Sequence, residues 1–341
     1  MFGKMMNSFY YGKSGKGDFR QEDLPKNRWE LFWAMLRVRF ASLCRLNLMT
    51  VLAHLPMIVL IGVCITQVFS ALVVTGDYQY YLETGNAGNL TAEQITALEG
   101  VDLNAAVTGA LYQALSTFCL WAIPCIAITG PVKAGVAYVT RNWARDEHAF
   151  IWSDFKDAVK ANWKQALGVS AITSIMPLLI YVCWQFYGQM AANSMIYMVP
   201  QMLTLMLGVV WSLACEFMYP IIVTYEVKFT AVIKNGVMLA IARLPQSVGL
   251  RLLGLVPTLL AVLIFYLTGS LIPFLVLGGY YIVAGYALSQ FVNASFTNGV
   301  FDKYINSRME GVKVNRGLAT ETDDDEDEEE AGDDPALPPN P

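Results

Sequence analysis

The chain has 341 residues, of which 55% are hydrophobic and only 15% charged, against roughly a quarter charged in an ordinary soluble domain. That deficit argues against a soluble globular fold and makes lipid the expected solvent. The net charge of −5 is misleading, because eleven of the 28 acidic residues fall between Glu321 and Asp334 and residues 1 to 320 carry a net charge of +6; this basic body is what should meet a membrane surface.

Residues 1 to 27 are polar, and the first long apolar run, beginning near Leu46, is too long for the core of a signal peptide. A helix needs about 20 mostly apolar residues to cross the hydrocarbon with every backbone group satisfied internally. Residues 48–74, 105–128, 166–187 and 198–225 meet that length. The last apolar stretch, 252–293, is too long for one crossing and is interrupted by Gly269-Ser270 with Pro273 just beyond. Two helices joined by a tight turn, 252–268 and 271–293, are therefore expected. The fold class is all-α: a polytopic membrane bundle of about six transmembrane helices.

Loops that stay inside the cell keep an excess of Lys and Arg. Basic residues crowd residues 1–46, 129–165 and 226–251 and the stretch after the last crossing, whereas 75–104 holds five acids and no base, and 188–197 and the Gly269 turn hold no charge. Six crossings give strict alternation, so both termini are expected in the cytoplasm of a multi-pass cell-membrane protein.

Three cytoplasmic stretches have the pattern of amphipathic helices lying in the interface. In 152–166, Trp152, Phe155, Val159, Trp163 and Ala166 share one face while Lys156, Lys160 and Lys164 share another. Residues 28–45 set Trp29, Phe32, Trp33 and Phe40 among arginines; residues 228–244 are less polar and read equally well as an extension of the fourth crossing. With Arg141 and Arg145, the second stretch forms a candidate interaction surface. Residues 318–341 include eight consecutive acids, Asp323 to Glu330, and should be a disordered, solvated tail.

Candidate chemistry is sparse. Glu216 is the one acid placed well inside a crossing, and intramembrane carboxylates are expensive enough to default to a functional hypothesis. It either faces the bundle interior, where it would bind a proton, cation or substrate hydroxyl, or lies near the cytoplasmic interface paired with a Lys or Arg from a neighbouring segment. His54, two residues before Pro56, either titrates near neutral pH or hydrogen-bonds a neighbouring helix. Glu216 and His54 are the candidate substrate-binding residues, and Pro124 and Pro220 the candidate helix kinks. The six cysteines have no C-x-x-C spacing or partnering His and read as packing residues, so neither a metal nor a cofactor is expected. The phosphate loop, the G-x-S-x-G elbow and H-E-x-x-H are all missing, so no catalytic residue is expected.

The run from Ile128 through Gly130, Pro131, Ala134 and Arg141 to Trp143, followed by Phe155, Lys156, Asn162, Trp163, Lys164 and Gln165, resembles the YesL-like family of bacterial membrane proteins, an uncharacterised family. The likeness extends loosely over residues 28 to 310, and the 75–104 loop and acidic tail depart from it. The resemblance implies several crossings and an accessory or regulatory role in carbohydrate uptake, since members are often encoded near sugar-uptake genes; it transfers no site residues. The expected partners are the bilayer and sugar-importer subunits, with no nucleic acid. A small-solute or ion-coupled secondary transporter with a site near Glu216 is the rival reading.

Overall fold

The structure, a computed structural model, describes residues 25–319. The start of the chain and nearly all of the expected acidic tail lie outside those residues. The described residues form ten α-helices and no strand. In chain order they are α1 (Arg28–Thr84), α2 (Ala92–Leu98), α3 (Leu103–Ala127), α4 (Gly130–Trp143), α5 (Ser153–Ala191), α6 (Met198–Thr224), α7 (Phe229–Ala242), α8 (Leu244–Thr268), α9 (Ile272–Tyr280) and α10 (Tyr286–Tyr304). Six apolar segments are long enough to cross a membrane: α1, α3, α5, α6 with its preceding turn, α8, and the α9–α10 unit. The protein is a multi-pass helical membrane bundle.

Two of the expected interfacial helices are not separate elements. Residues 28–45 are the first turns of the 57-residue α1, and residues 153–166 are the first turns of the 39-residue α5. The physical reason is legible: neither Arg45-Leu46-Asn47-Leu48 nor the Gln165-Ala166-Leu167 junction contains a glycine or proline to end the helix. Asn27 starts α1 by accepting from the Glu30 amide at 2.9 Å, while the Glu30 carboxylate accepts from the Lys26 amide at 2.9 Å, a reciprocal cap. The helix also runs ten residues past the expected end of its crossing, to Gly85, whose φ of 73° closes it with a left-handed cap.

The third stretch is a distinct helix, α7, separated from α6 by the non-helical residues 225–228 and packed back on it. Its Gly236 lies so close to α6 that an added Cβ would come within 2.7 Å of Met218 Cγ and 3.2 Å of the Ala214 carbonyl. An equivalent unit appears after α3. There Pro124 precedes the break at Ile128-Thr129, and α4, like α7 14 residues long, packs along α5. Gly130 leaves no room for a Cβ between the Ser170 side chain and the Ala166 carbonyl, and a Cβ on Gly135 would sit 2.6 Å from the Phe155 ring. The glycines are thus what lets α4 lie against α5.

The last crossing pair turns where expected: Gly269 has φ 66° and its amide donates to the Phe265 carbonyl at 2.8 Å. Between α9 and α10 the chain forms a π-turn, Tyr281–Gly285, which displaces the usual i→i−4 pattern. Asn47 of α1, fully buried, satisfies the displaced groups: its amide donates to the carbonyls of Tyr281 (2.9 Å) and Ile282 (2.7 Å), and its oxygen accepts from the Ala287 amide at 2.8 Å.

Two buried clusters organise the packing. One joins α4, α5, α6, α7 and α10 around Val169, Phe217, Ile221, Val232 and Phe301; the other joins the first half of α1 to α4 and α10 through Leu31, Leu43, Leu46, Val139, Trp143 and Phe291. Both lie toward the end of the bundle that carries the described chain termini. There Arg28 donates to Asp302 at 2.6 Å, Arg316 to Glu147 at 2.6 Å, and the Ala319 amide to the Pro25 carbonyl at 3.1 Å, tying the chain after α10 to the foot of α1. Tyr225, just beyond α6, donates to Asn306 Oδ1 at 2.7 Å; burial pushes its phenol up to about 12, so it remains a neutral donor at physiological pH. Farther along the bundle, long stretches of α1, α8 and α9 expose Leu, Ile and Val, as lipid-facing helices do.

Candidate functional site

A cavity of about 760 Å³ opens between α1, α6, α8 and the π-turn–α10 segment, with one side chain from α4 reaching in. Its wall is mostly apolar, with Val51, Met57, Ile58, Leu253 and Leu255. The polar groups come from five separate elements. Thr50 and His54 belong to α1, Lys133 to α4, Glu216 and Tyr219 to α6, Arg251 to α8, and Tyr286 and Asn293 to α10.

Depth follows from helix geometry. Glu216 lies 18 residues from the start of α6 and Arg251 lies 18 residues before Gly269, so at 1.5 Å per residue each is about 27 Å from the far end of its helix. A hydrocarbon core is about 30 Å thick. The cavity floor therefore sits near the edge of the hydrocarbon on the side of the termini. Glu216 Oε1 pairs with Arg251 Nε at 3.0 Å, and Arg251 also donates to the Ser212 carbonyl at 2.8 Å. The two sequence readings of Glu216 thus coincide in one arrangement: it faces a cavity and it is paired with an arginine of a neighbouring helix.

Several polar atoms here have no hydrogen-bond partner among the described residues: Glu216 Oε2, Tyr219 Oη, Tyr286 Oη and the Asn293 side-chain oxygen. The Asn293 amide is already used, donating to the Glu216 carbonyl at 2.9 Å. Lys133 has no carboxylate in ion-pair range among the described residues; its ammonium stands 5.8 Å from the centroid of the Tyr219 ring. His54 places Nδ1 2.9 Å from the Thr50 carbonyl and packs against the Tyr286 ring at 4.8 Å. With its proton on Nδ1, Nε2 is left as an acceptor. The charged groups of the cavity are one acid and two bases, and the acid is matched by Arg251.

The structure therefore places both expected binding residues, Glu216 and His54, on one cavity, and brings in Lys133, Tyr219, Arg251, Tyr286 and Asn293, which sequence reading did not single out. Lys133 is one of the basic residues of the 129–165 stretch. Its signal was its place in Gly130-Pro131-Val132-Lys133-Ala134-Gly135, a helix start with small residues that permit close approach on all sides. Pro220 is among the cavity residues, while Pro124 precedes the α3–α4 break.

The expected interaction surface divides. Trp152, Lys156, Lys160, Trp163 and Lys164 are exposed on α5 and its lead-in. Phe155 is half-buried against Gly135, Arg141 is half-buried beside Asn142 at 3.2 Å, and Arg145 is buried, 3.6 Å from Glu147. Phe155 is covered because α4 packs on α5, and Arg141 and Arg145 lie where the end of α4 meets α10 and the chain after it, with Asn298 donating to the Arg141 carbonyl at 3.3 Å and Gly317 against the Arg145 carbonyl. All six cysteines are free, and no group of metal-ligating side chains occurs among the described residues.

The fold and the cavity define a helical multi-pass membrane protein with a buried polar cluster open to a small ligand. A family described as "Protein of unknown function, DUF624" matches residues 110–184, which run from the first third of α3 through α4 into α5 and include the segment on which the YesL-like resemblance rests. No curated protein and no solved structure matches the chain.

Proposed function

We propose that this is a non-enzymatic integral membrane protein, accessory or regulatory to carbohydrate uptake, with both termini in the cytoplasm of a cell-membrane protein. The carbohydrate link and the YesL-like assignment rest on the resemblance around Gly130–Gln165. The observation that carries the accessory role is the exposed Trp152, Lys156, Lys160, Trp163 and Lys164. These side chains form a basic, aromatic face at the start of α5, suited to an importer subunit.

Two experiments test this reading. Labelling of single-cysteine variants in intact cells should reach Glu93→Cys and miss Lys156→Cys; the reverse pattern inverts the topology. Photo-crosslinking from position 156 or 160 in native membranes should capture a sugar-importer subunit, and capture of none removes the accessory role.

The cavity supports a second reading, a small-solute or ion-coupled transporter working through Glu216. Flux of a sugar or ion through protein-bearing liposomes, abolished by Glu216→Gln, would replace the accessory role with transport.

A further inference from the structure

We propose that the cavity is a binding site for a polyol phosphate, carried either by a lipid headgroup or by a free phosphorylated solute. The proposal gives a ligand class to the cavity on which the transport reading rests, and it stands independently of the accessory role.

The inventory of unmet valences sets the ligand's chemistry. Lys133 brings a positive charge that no carboxylate among the described residues balances, because Glu216 is engaged by Arg251 at 3.0 Å. An ammonium is a strong point-charge partner for phosphate, and an anion in the cavity would restore neutrality in a low-dielectric setting where a lone charge is costly. Glu216 Oε2 and the Asn293 side-chain oxygen have no donor among the described residues and can accept from two O–H or N–H groups of a ligand. The hydroxyls of Tyr219 and Tyr286, equally unpartnered, can donate to phosphate oxygens or accept from ligand hydroxyls. A bare carboxylate meets the charge but supplies no donor, and inorganic phosphate supplies one or two, both on the same phosphorus that must face Lys133. A neutral sugar meets the donors but leaves Lys133 unbalanced. A phosphate ester bearing adjacent hydroxyls meets both.

The apolar wall suits the same class. Ile58, Leu253 and Leu255 line the cavity beyond the polar cluster, and α8 exposes Leu252, Leu259 and Leu263 to the lipid side. An acyl-bearing ligand could therefore leave its chains along α8 with its head among the polar groups. A volume of about 760 Å³ lies within the ~300–1,000 Å³ usual for small-molecule sites.

The test uses purified full-length protein in phosphatidylcholine nanodiscs, titrated with glucose 6-phosphate and, separately, with glucose. A second preparation includes phosphatidylglycerol, with lipid retention read by native mass spectrometry against phosphatidylcholine. Binding of glucose 6-phosphate supports a free solute; selective retention of phosphatidylglycerol alone supports a headgroup. In either arm Lys133→Met should weaken binding at least about tenfold, or ~1.4 kcal/mol, while Lys133→Arg keeps most of it. Tyr286→Phe, which removes a single hydroxyl, should weaken binding severalfold and gives the readout if Lys133→Met does not fold. The proposal is overturned if neither phosphorylated probe binds, if glucose competes as well as glucose 6-phosphate, or if well-folded Lys133→Met and Tyr286→Phe both bind as wild type. Binding without flux would leave this site standing and remove transport; flux that survives Lys133→Met with no phosphate binding would do the opposite.

Discussion

Replacing Asn47 by leucine, close in volume but without polar atoms, removes three hydrogen bonds at once. The Tyr281 and Ile282 carbonyls lose donors at 2.9 and 2.7 Å, and the Ala287 amide loses its acceptor at 2.8 Å. The π-turn interrupts the usual ladder here, and Asn47, itself fully buried, supplies the partners from α1. At about 1 kcal/mol net per bond the loss is about 3 kcal/mol; at the ~0.6 kcal/mol average measured between membrane helices it is about 2 kcal/mol. Equilibrium unfolding in mixed micelles with rising SDS fraction measures the difference. Thr50→Val is the matched control: the Thr50 hydroxyl bonds only the Asn47 carbonyl of its own helix at 2.8 Å, so its loss should be near neutral. If Asn47→Leu unfolds within about 0.5 kcal/mol of wild type, Asn47 does not hold the π-turn and the account of α1 against α10 fails.

Other substitutions probe the remaining packing. Gly130→Val should separate α4 from α5 at Ser170 and Ala166, at a cost of about 1–3 kcal/mol, seen as a lowered melting temperature in detergent; an unchanged melt would show that α4 has room to spare. Gly317→Val meets a φ of 82° and a Cβ position 2.9 Å from the Arg145 carbonyl, and should speed proteolysis near residues 309–319 while leaving the crossings protected. Asp302→Asn removes the charge facing Arg28 and should raise hydrogen exchange in the first turns of α1 with at most about 1 kcal/mol of global loss. The double change Lys156→Ala and Lys160→Ala, both exposed, should leave the melt unmoved and reduce crosslinking to any partner; an equal loss of both would mean that the face is structural.

The crossings were legible because twenty apolar residues in a row leave the chain little choice, and Gly269-Ser270 marked the last hairpin because a left-handed cap favours glycine. The continuity of α1 and α5 was within reach of the sequence too, since no proline separates their polar first turns from the apolar run and a lone Gly168 is not enough to end α5; amphipathic periodicity alone suggested separate elements. The cavity was less accessible. Glu216 and His54 stood out as polar residues in apolar segments, but Lys133 looked like any other loop cation. Periodicity within one helix reports which face is greasy, not which of six helices that face will meet. Asn47 and Ala287, 240 residues apart, show the scale of that gap.

The length of α1 sets a reach. From Arg28 to Asn47 the helix rises about 28 Å, and Arg28 is held by Asp302 at its tip, so the foot of the bundle stands off the lipid like a pier. A binding domain that engages Trp29 and Trp33, both exposed there, would have to hang well clear of the headgroups. Short-armed reagents tethered to the bilayer surface should mark residues near Leu48 and leave the tip untouched.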